Sequence, residues 1–185
     1  VSALVDRAIR ESSLDDVLGA RREGSLTEEQ VDRLRRSDLL VLGALADRVR
    51  AEEVGDEVRI YTEEVPESGP EVVVLPRAGH EVTGLELLRE VAMARAAGPR
   101  GGRVRVDWTR CGLELAQIAI GFGANELAGR IASKRGLPLA EGEKLGVGKK
   151  SRLEAADVVK RKELEGFVRR AGRTPSFVTL AQETP

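Results

Sequence analysis

Few residues in this 185-residue chain have types and spacings that can do chemistry. His80 is its single histidine and stands four residues after Pro76. An imidazole there can act as a general acid or base, or it is a polar loop residue. Asp107 ends the segment RVRVDW at its penultimate position, with Arg110 just beyond. Asp107 can orient His80 or cap the helix that follows. Asn125 and Glu126 form a polar pair after Gly123. Either can hydrogen-bond a ligand, or both belong to turn chemistry. A guanidinium at Arg77 suits a carboxylate or phosphate, or marks a solvent-facing surface. Lys149, Lys150 and Arg152 sit in GVGKKSR. Backbone N–H groups and positive charge before a helix can hold an anion, and the alternative is a solvated loop. The segment is not a P-loop, since Val147 stands five residues after Gly142 where that motif needs glycine. Cys111 follows a strand and opens a helix, a place that can lower a thiol pKa, but a buried structural thiol fits as well. No Cys/His spacing matches a zinc site, and no G-x-S-x-G elbow is present.

The elements that position these residues follow from periodicity and caps. The spacing predicts an amphipathic helix over 3–19, ended by Gly19 or Gly24. A second helix starts at Ser25-Leu-Thr27 and breaks near Ser37-Asp38, where either residue can cap DLLVLGALADRVRAEEVG, which stops at Gly55. EVRIYTE (57–63) alternates as a strand, and EVPESGPE (64–71) is a turn-rich link. VVVLP (72–76) is an apolar strand of the kind buried in a parallel sheet. A helix capped by Thr83 and ended by Gly98 follows, then the strand RVRVDW (103–108), a helix ending at Gly121 or Gly123, and a short strand within ANELAG (124–129). Residues 133–151 are expected as a long basic loop, 151–171 as one or two closing helices, and AQETP as a frayed end. Strands alternating with helices predict α/β organisation with a parallel sheet. The division expected is a helical lead-in over 1–56 and a βα unit over 57–185.

Composition narrows the function. Net charge is −1, aromatics are 3%, and there is one cysteine. Bulk charge does not favour a polyanion, and base-stacking nucleic-acid folds need more aromatics. A lone cysteine forms no internal disulfide and fits a reducing compartment. No apolar run approaches the ~20 residues of a membrane span, and no signal-peptide core follows Val1, so a cytoplasmic protein is expected. Charge is uneven: residues 1–60 carry 10 Lys/Arg against 14 Asp/Glu, and residues 130–173 carry 13 against 6. The two ends can attract each other, or the basic one can meet an anionic partner.

VVVLPRAGHEVTGLELLREVAMARAAG, RVRVDWTRCGLELAQIAIGFGANELAG and ELEGFVRRAGRTPSFV resemble, in order, the C-terminal part of the radical-SAM enzymes of the futalosine route to menaquinone, aminofutalosine synthase and dehypoxanthine futalosine cyclase. LTEEQVDRLRRSDLLVLGALADRVRAEEVGDEVRIY is similar to that family's helical lead-in and first barrel strand. GLELAQIAIGFGANELAG is the most specific piece. The resemblance implies a partial, half TIM-type (βα)8 barrel of about four mainly parallel strands, with an N-terminal helical segment and a C-terminal helix. It retains barrel strand 1 and strands 6, 7 and 8, adjacent in the order 1-8-7-6, with strands 1 and 6 as open edges. It places His80 on the family's strand-end histidine, Asp107 and Arg110 at the next strand end, and Asn125 and Glu126 on a similar polar pair. Arg77 departs from the apolar residue usual there.

The family holds an iron–sulfur cluster on three cysteines spaced CxxxCxxC, which one cysteine cannot supply. No cluster is therefore expected. S-adenosylmethionine is not carried over either, because its family sites lie partly in the missing strands. The expectation is a non-catalytic accessory or ligand-binding protein of menaquinone biosynthesis that takes a small anionic ligand. The open edges call for a second copy or a pathway enzyme as partner, unless local helices and the 133–151 loop close the gap. Two alternatives remain: a small enzyme of altered chemistry using His80, and anion or nucleic-acid binding through 130–173.

Overall fold

The computed structural model describes residues 3–61, 72–77, 79, 82–129, 131–132 and 159–178. Four helices come first: α1 (Ala3–Glu11), α2 (Asp15–Glu23), α3 (Glu28–Arg36) and α4 (Leu39–Val54). The single helix expected over 3–19 is two, because the chain turns at Ser12-Ser13, with Ser13 at φ 55°. That turn swings Leu14 into the core, where it is fully buried. The other boundaries follow their caps. Thr27 and Gln30 form a reciprocal capping box, Asp38 accepts the N–H groups of Leu40 and Val41, and α4 stops at Gly55.

Strand β1 (Glu57–Tyr61) leads to β2 (Val72–Leu75), α5 (Gly84–Ala97), β3 (Arg103–Asp107), α6 (Trp108–Cys111), α7 (Leu113–Ile120) and β4 (Glu126–Ala128). A short parallel pair, β5 (Ile131–Ala132) and β6 (Val159–Lys160), precedes α8 (Arg161–Arg170) and β7 (Thr174–Val178). The main sheet has five strands in the order β2-β3-β4-β1-β7, all parallel. The expected neighbours are present as β1-β4-β3-β2. The expectation of an open edge at β1 is overturned, because β7 pairs along its whole length. Pro175 argues against reading TPSFV as a central strand. Yet proline is tolerated on an edge strand. Thr174 N–H donates to Asp56 O towards β1, so the next position in the ladder faces away, and there Pro175 presents no N–H. The new edge is thus blunted against further pairing.

Alternation along the strands separates two faces. Val58, Ile60, Leu75, Val104, Val106 and Leu127 pack under α5, α7 and α8 through Leu87, Val91, Ala116, Ile120, Leu164 and Val168. Burying each large aliphatic side chain contributes about 1.5–3 kcal/mol. The N-terminal helices form a further layer on the far side of α5, where Leu14, Val17, Leu34, Leu42, Leu45 and Val49 meet Ala92 and Ala96. Buried Arg21 bolts that layer down: it pairs with Glu53 at 2.6 Å and donates to Ala96 O and Gly98 O at 2.9 Å. The acidic N-terminal part meets the basic C-terminal part where Arg173 Nη2 donates to both carboxylate oxygens of Asp47, at 2.6 and 2.8 Å. Among the described residues no helix is long and apolar enough to cross a membrane.

Candidate functional site

The sheet face turned away from the helices carries a polar cluster. In register, Arg105 on β3, Glu126 on β4 and Arg59 on β1 form one row. Arg103 lies two residues before Arg105 on β3, and Tyr61 two residues after Arg59 on β1, on the same face. Glu126, wholly buried, is the hub. Its Oε2 accepts from Arg105 Nε at 2.9 Å and Nη2 at 2.8 Å. Its Oε1 accepts from the Tyr61 hydroxyl at 3.0 Å, with Arg103 Nε at 3.6 Å and Arg59 Nη1 at 3.8 Å. Arg105 also lies over the Tyr61 ring, 4.3 Å from its centre.

A carboxylate is not taken out of water without such company, and losing one partner of a buried pair costs about 3–5 kcal/mol. Burial first, and then the Glu126 charge, push the Tyr61 phenol up, so it stays a hydrogen-bond donor at neutral pH. Arg105 is sealed, but the side chains of Arg59 and Arg103 are 36% and 33% exposed. The cluster therefore has a buried floor and two partly exposed arginine side chains, a residue type suited to oxyanions.

No protein-family model matches this chain, and no curated protein gives a match.

The expected site residues divide accordingly. Glu126 belongs to the cluster. Asn125, its neighbour, points to the helix side and is occupied there: its Oδ1 accepts from Arg95 Nη2 at 2.6 Å and from Val104 N–H at 2.9 Å. Arg95 donates further to Gly123 O and Gly102 O, and burial brings its guanidinium down to about 10. Asp107 stands at the C-terminal end of β3. Its Oδ1 accepts from the Thr109 N–H and hydroxyl, capping α6, and its Oδ2 lies 3.2 Å from Arg110 Nε. Arg110 Nη1 also donates to Pro76 O at 3.0 Å, which ties the ends of β2 and β3 together. Arg77 is exposed just beyond β2. His80, Lys149, Lys150 and Arg152 lie outside the described residues, as do the 133–151 loop and the 151–158 part of the expected closing helix. Cys111 is half-buried against Asp107 O, and burial, then the Asp107 charge, push its thiol up to about 11, as befits a structural cysteine.

Sequence reasoning missed Arg59, Tyr61, Arg103 and Arg105. Their signal was present in EVRIY and RVRVD, where arginine alternates with Val and Ile. Strands of a helix-covered parallel sheet ordinarily read as continuous apolar runs. Repeated arginines in that pattern mark a face reserved for something other than a second helix layer.

Proposed function

We propose that this protein is a non-catalytic relative of the futalosine-route radical-SAM enzymes that binds a small anionic ligand of that route on the inner face of a partial βα barrel. The observation that carries the reading is the buried Glu126 hub, held by Tyr61 and Arg105 and flanked by the part-exposed side chains of Arg59 and Arg103. In a closed barrel the face opposite the helices points inward, and the interior of some eight-stranded barrels is wide enough to hold one small ligand. The neighbour order β1-β4-β3-β2 supports the same reading, since it is the order that strands 1, 8, 7 and 6 take on closure. One cysteine does not furnish a three-thiolate cluster site, so no radical step is assigned to this chain. A second copy or a pathway enzyme is the proposed partner on the β2 side, because β7 is blunted by Pro175.

Calorimetric titration with precursors of the futalosine route tests the proposal. Saturable binding is expected, weakened about ten-fold or more in Arg103→Met and Arg59→Met, the effect of losing a charge-assisted hydrogen bond. Binding unchanged in both variants, or none in the parent, overturns it.

A further inference from the structure

Helix α8 carries a second concentration of charge. Residues 159–178 hold six Lys/Arg against two Asp/Glu, in a chain whose net charge is −1. Leu164 and Val168 are fully buried and fix which side of α8 meets the core. Lys162, Gly166 and Arg170 follow one another at intervals of four, and Arg169 stands three after Gly166, so the four share the opposite face. Lys162, Arg169 and Arg170 are exposed and make no ion pair among the described residues. The acids of α8 flank this face and are occupied: Glu165 lies 3.7 Å from Arg161, and Glu163 is also engaged. Arg170 lies over the ring of Phe167, 4.8 Å from its centre. That ring is half-buried and packs in neither apolar core among the described residues. Gly166 stands inside the helix, where glycine is less favourable than alanine. A Cβ there would come within 3.0 Å of Arg170 Nη1, so the missing side chain gives the guanidinium room to fold back towards the ring.

We propose that the outward face of α8 binds single-stranded nucleic acid, with Lys162, Arg169 and Arg170 on its phosphates. From Lys162 to Arg170 the helix rises about 12 Å, a length that spans about three phosphates of one strand. A guanidinium stacked on a ring beside further cations is the combination such sites use, cations for the backbone and flat groups for the bases. With one ring outside the cores, the weight falls on the phosphate contacts, which carry no sequence information. A membrane surface fits less well, because the apolar side of α8 is packed into the core and leaves nothing to insert. The face lies on the helix side of the sheet, away from the Glu126 cluster, and the proposal does not depend on the function proposed for that cluster.

Fluorescence anisotropy of a labelled 12-nucleotide oligouridylate, titrated with the protein over a salt series, tests this. Binding is expected at low salt, with affinity falling as salt rises. In the triple variant Lys162→Gln, Arg169→Gln, Arg170→Gln, the slope of log K against log salt should flatten by about two, the value for three contacts on a single strand. All three side chains are exposed, so circular dichroism should show the fold retained. Gly166→Ala distinguishes an arranged face from a merely basic one. Its thermal stability is expected to rise, since alanine favours the helix, while its affinity falls at least three-fold as Arg170 leaves its seat. Unchanged affinity in that variant overturns the role of Gly166. No binding at low salt, or a slope that the triple variant leaves unaltered, overturns the whole proposal. Equal affinity for polyglutamate or for phosphatidylserine vesicles overturns the assignment to nucleic acid.

Discussion

Arg95 on α5 donates to Asn125 Oδ1 at 2.6 Å, and the same oxygen accepts the Val104 N–H at 2.9 Å. One side-chain amide oxygen thus joins a helix to the starts of two adjacent strands. With Gly123 O and Gly102 O also served by Arg95, three planar donors hold the N-terminal ends of β3 and β4 under α5. This is a structural polar cluster on the helix side, back to back with the Glu126 cluster on the opposite face.

Replacing Arg95 should therefore damage the fold and not the ligand site directly. Arg95→Met leaves two buried carbonyls without their donor, each costing about 1–3 kcal/mol. A loss of roughly 3 kcal/mol or more is expected in urea unfolding. Arg95→Lys should recover little of it, because an ammonium lacks the planar fork that reaches three acceptors. A loss below about 1 kcal/mol in Arg95→Met contradicts this account.

Cys111 yields a pH prediction. Its thiol is pushed up to about 11, from an ordinary value of 9.0. Alkylation by iodoacetamide at pH 8 should be about 100-fold slower in the native protein than in the urea-unfolded chain, because thiolate is the reacting species. Linkage has a definite sign here. Between pH 9 and pH 11 the unfolded chain holds fewer protons on this group than the folded one, so its contribution to stability falls as pH rises through that window. Equal native and unfolded alkylation rates would contradict the burial of the thiol.

Pro175 carries the prediction about association. Its backbone nitrogen points away from β1 on β7, the edge strand. Pro175→Thr puts an N–H back on that edge and a residue of high β-propensity with it. Light scattering over a concentration series should show more self-association than in the parent, with the monomer fold retained by circular dichroism. No change would mean that the edge is protected by something other than Pro175.

Much of this architecture was legible along the chain. Thr27, Asp38 and Thr83 start helices through oxygen caps, and Gly55 and Gly98 stop them; such signals act within a few residues. The alternation of apolar runs with helical periods likewise implied a parallel sheet, and the order of its first four strands followed from their resemblance to a barrel. The α1–α2 break was less legible, because the turn at Ser13 is driven by seating Leu14 in a core made mostly by residues far along the chain.

The candidate site was only half legible. Asn125 and Glu126 are adjacent in sequence and alike in polarity, yet they work on opposite faces of the sheet. Period-two alternation requires that they diverge, but which face receives helices is decided by α5, α7 and α8 together. The same holds for Arg59, Arg103 and Arg105, whose partner Glu126 lies on another strand, and for β7, which a proline concealed and pairing with β1 created. The sequence by itself determined the elements, because caps and periodicity are local. The tertiary structure decided which polar residues share a face, because that depends on strand register and helix packing between residues far apart in the chain.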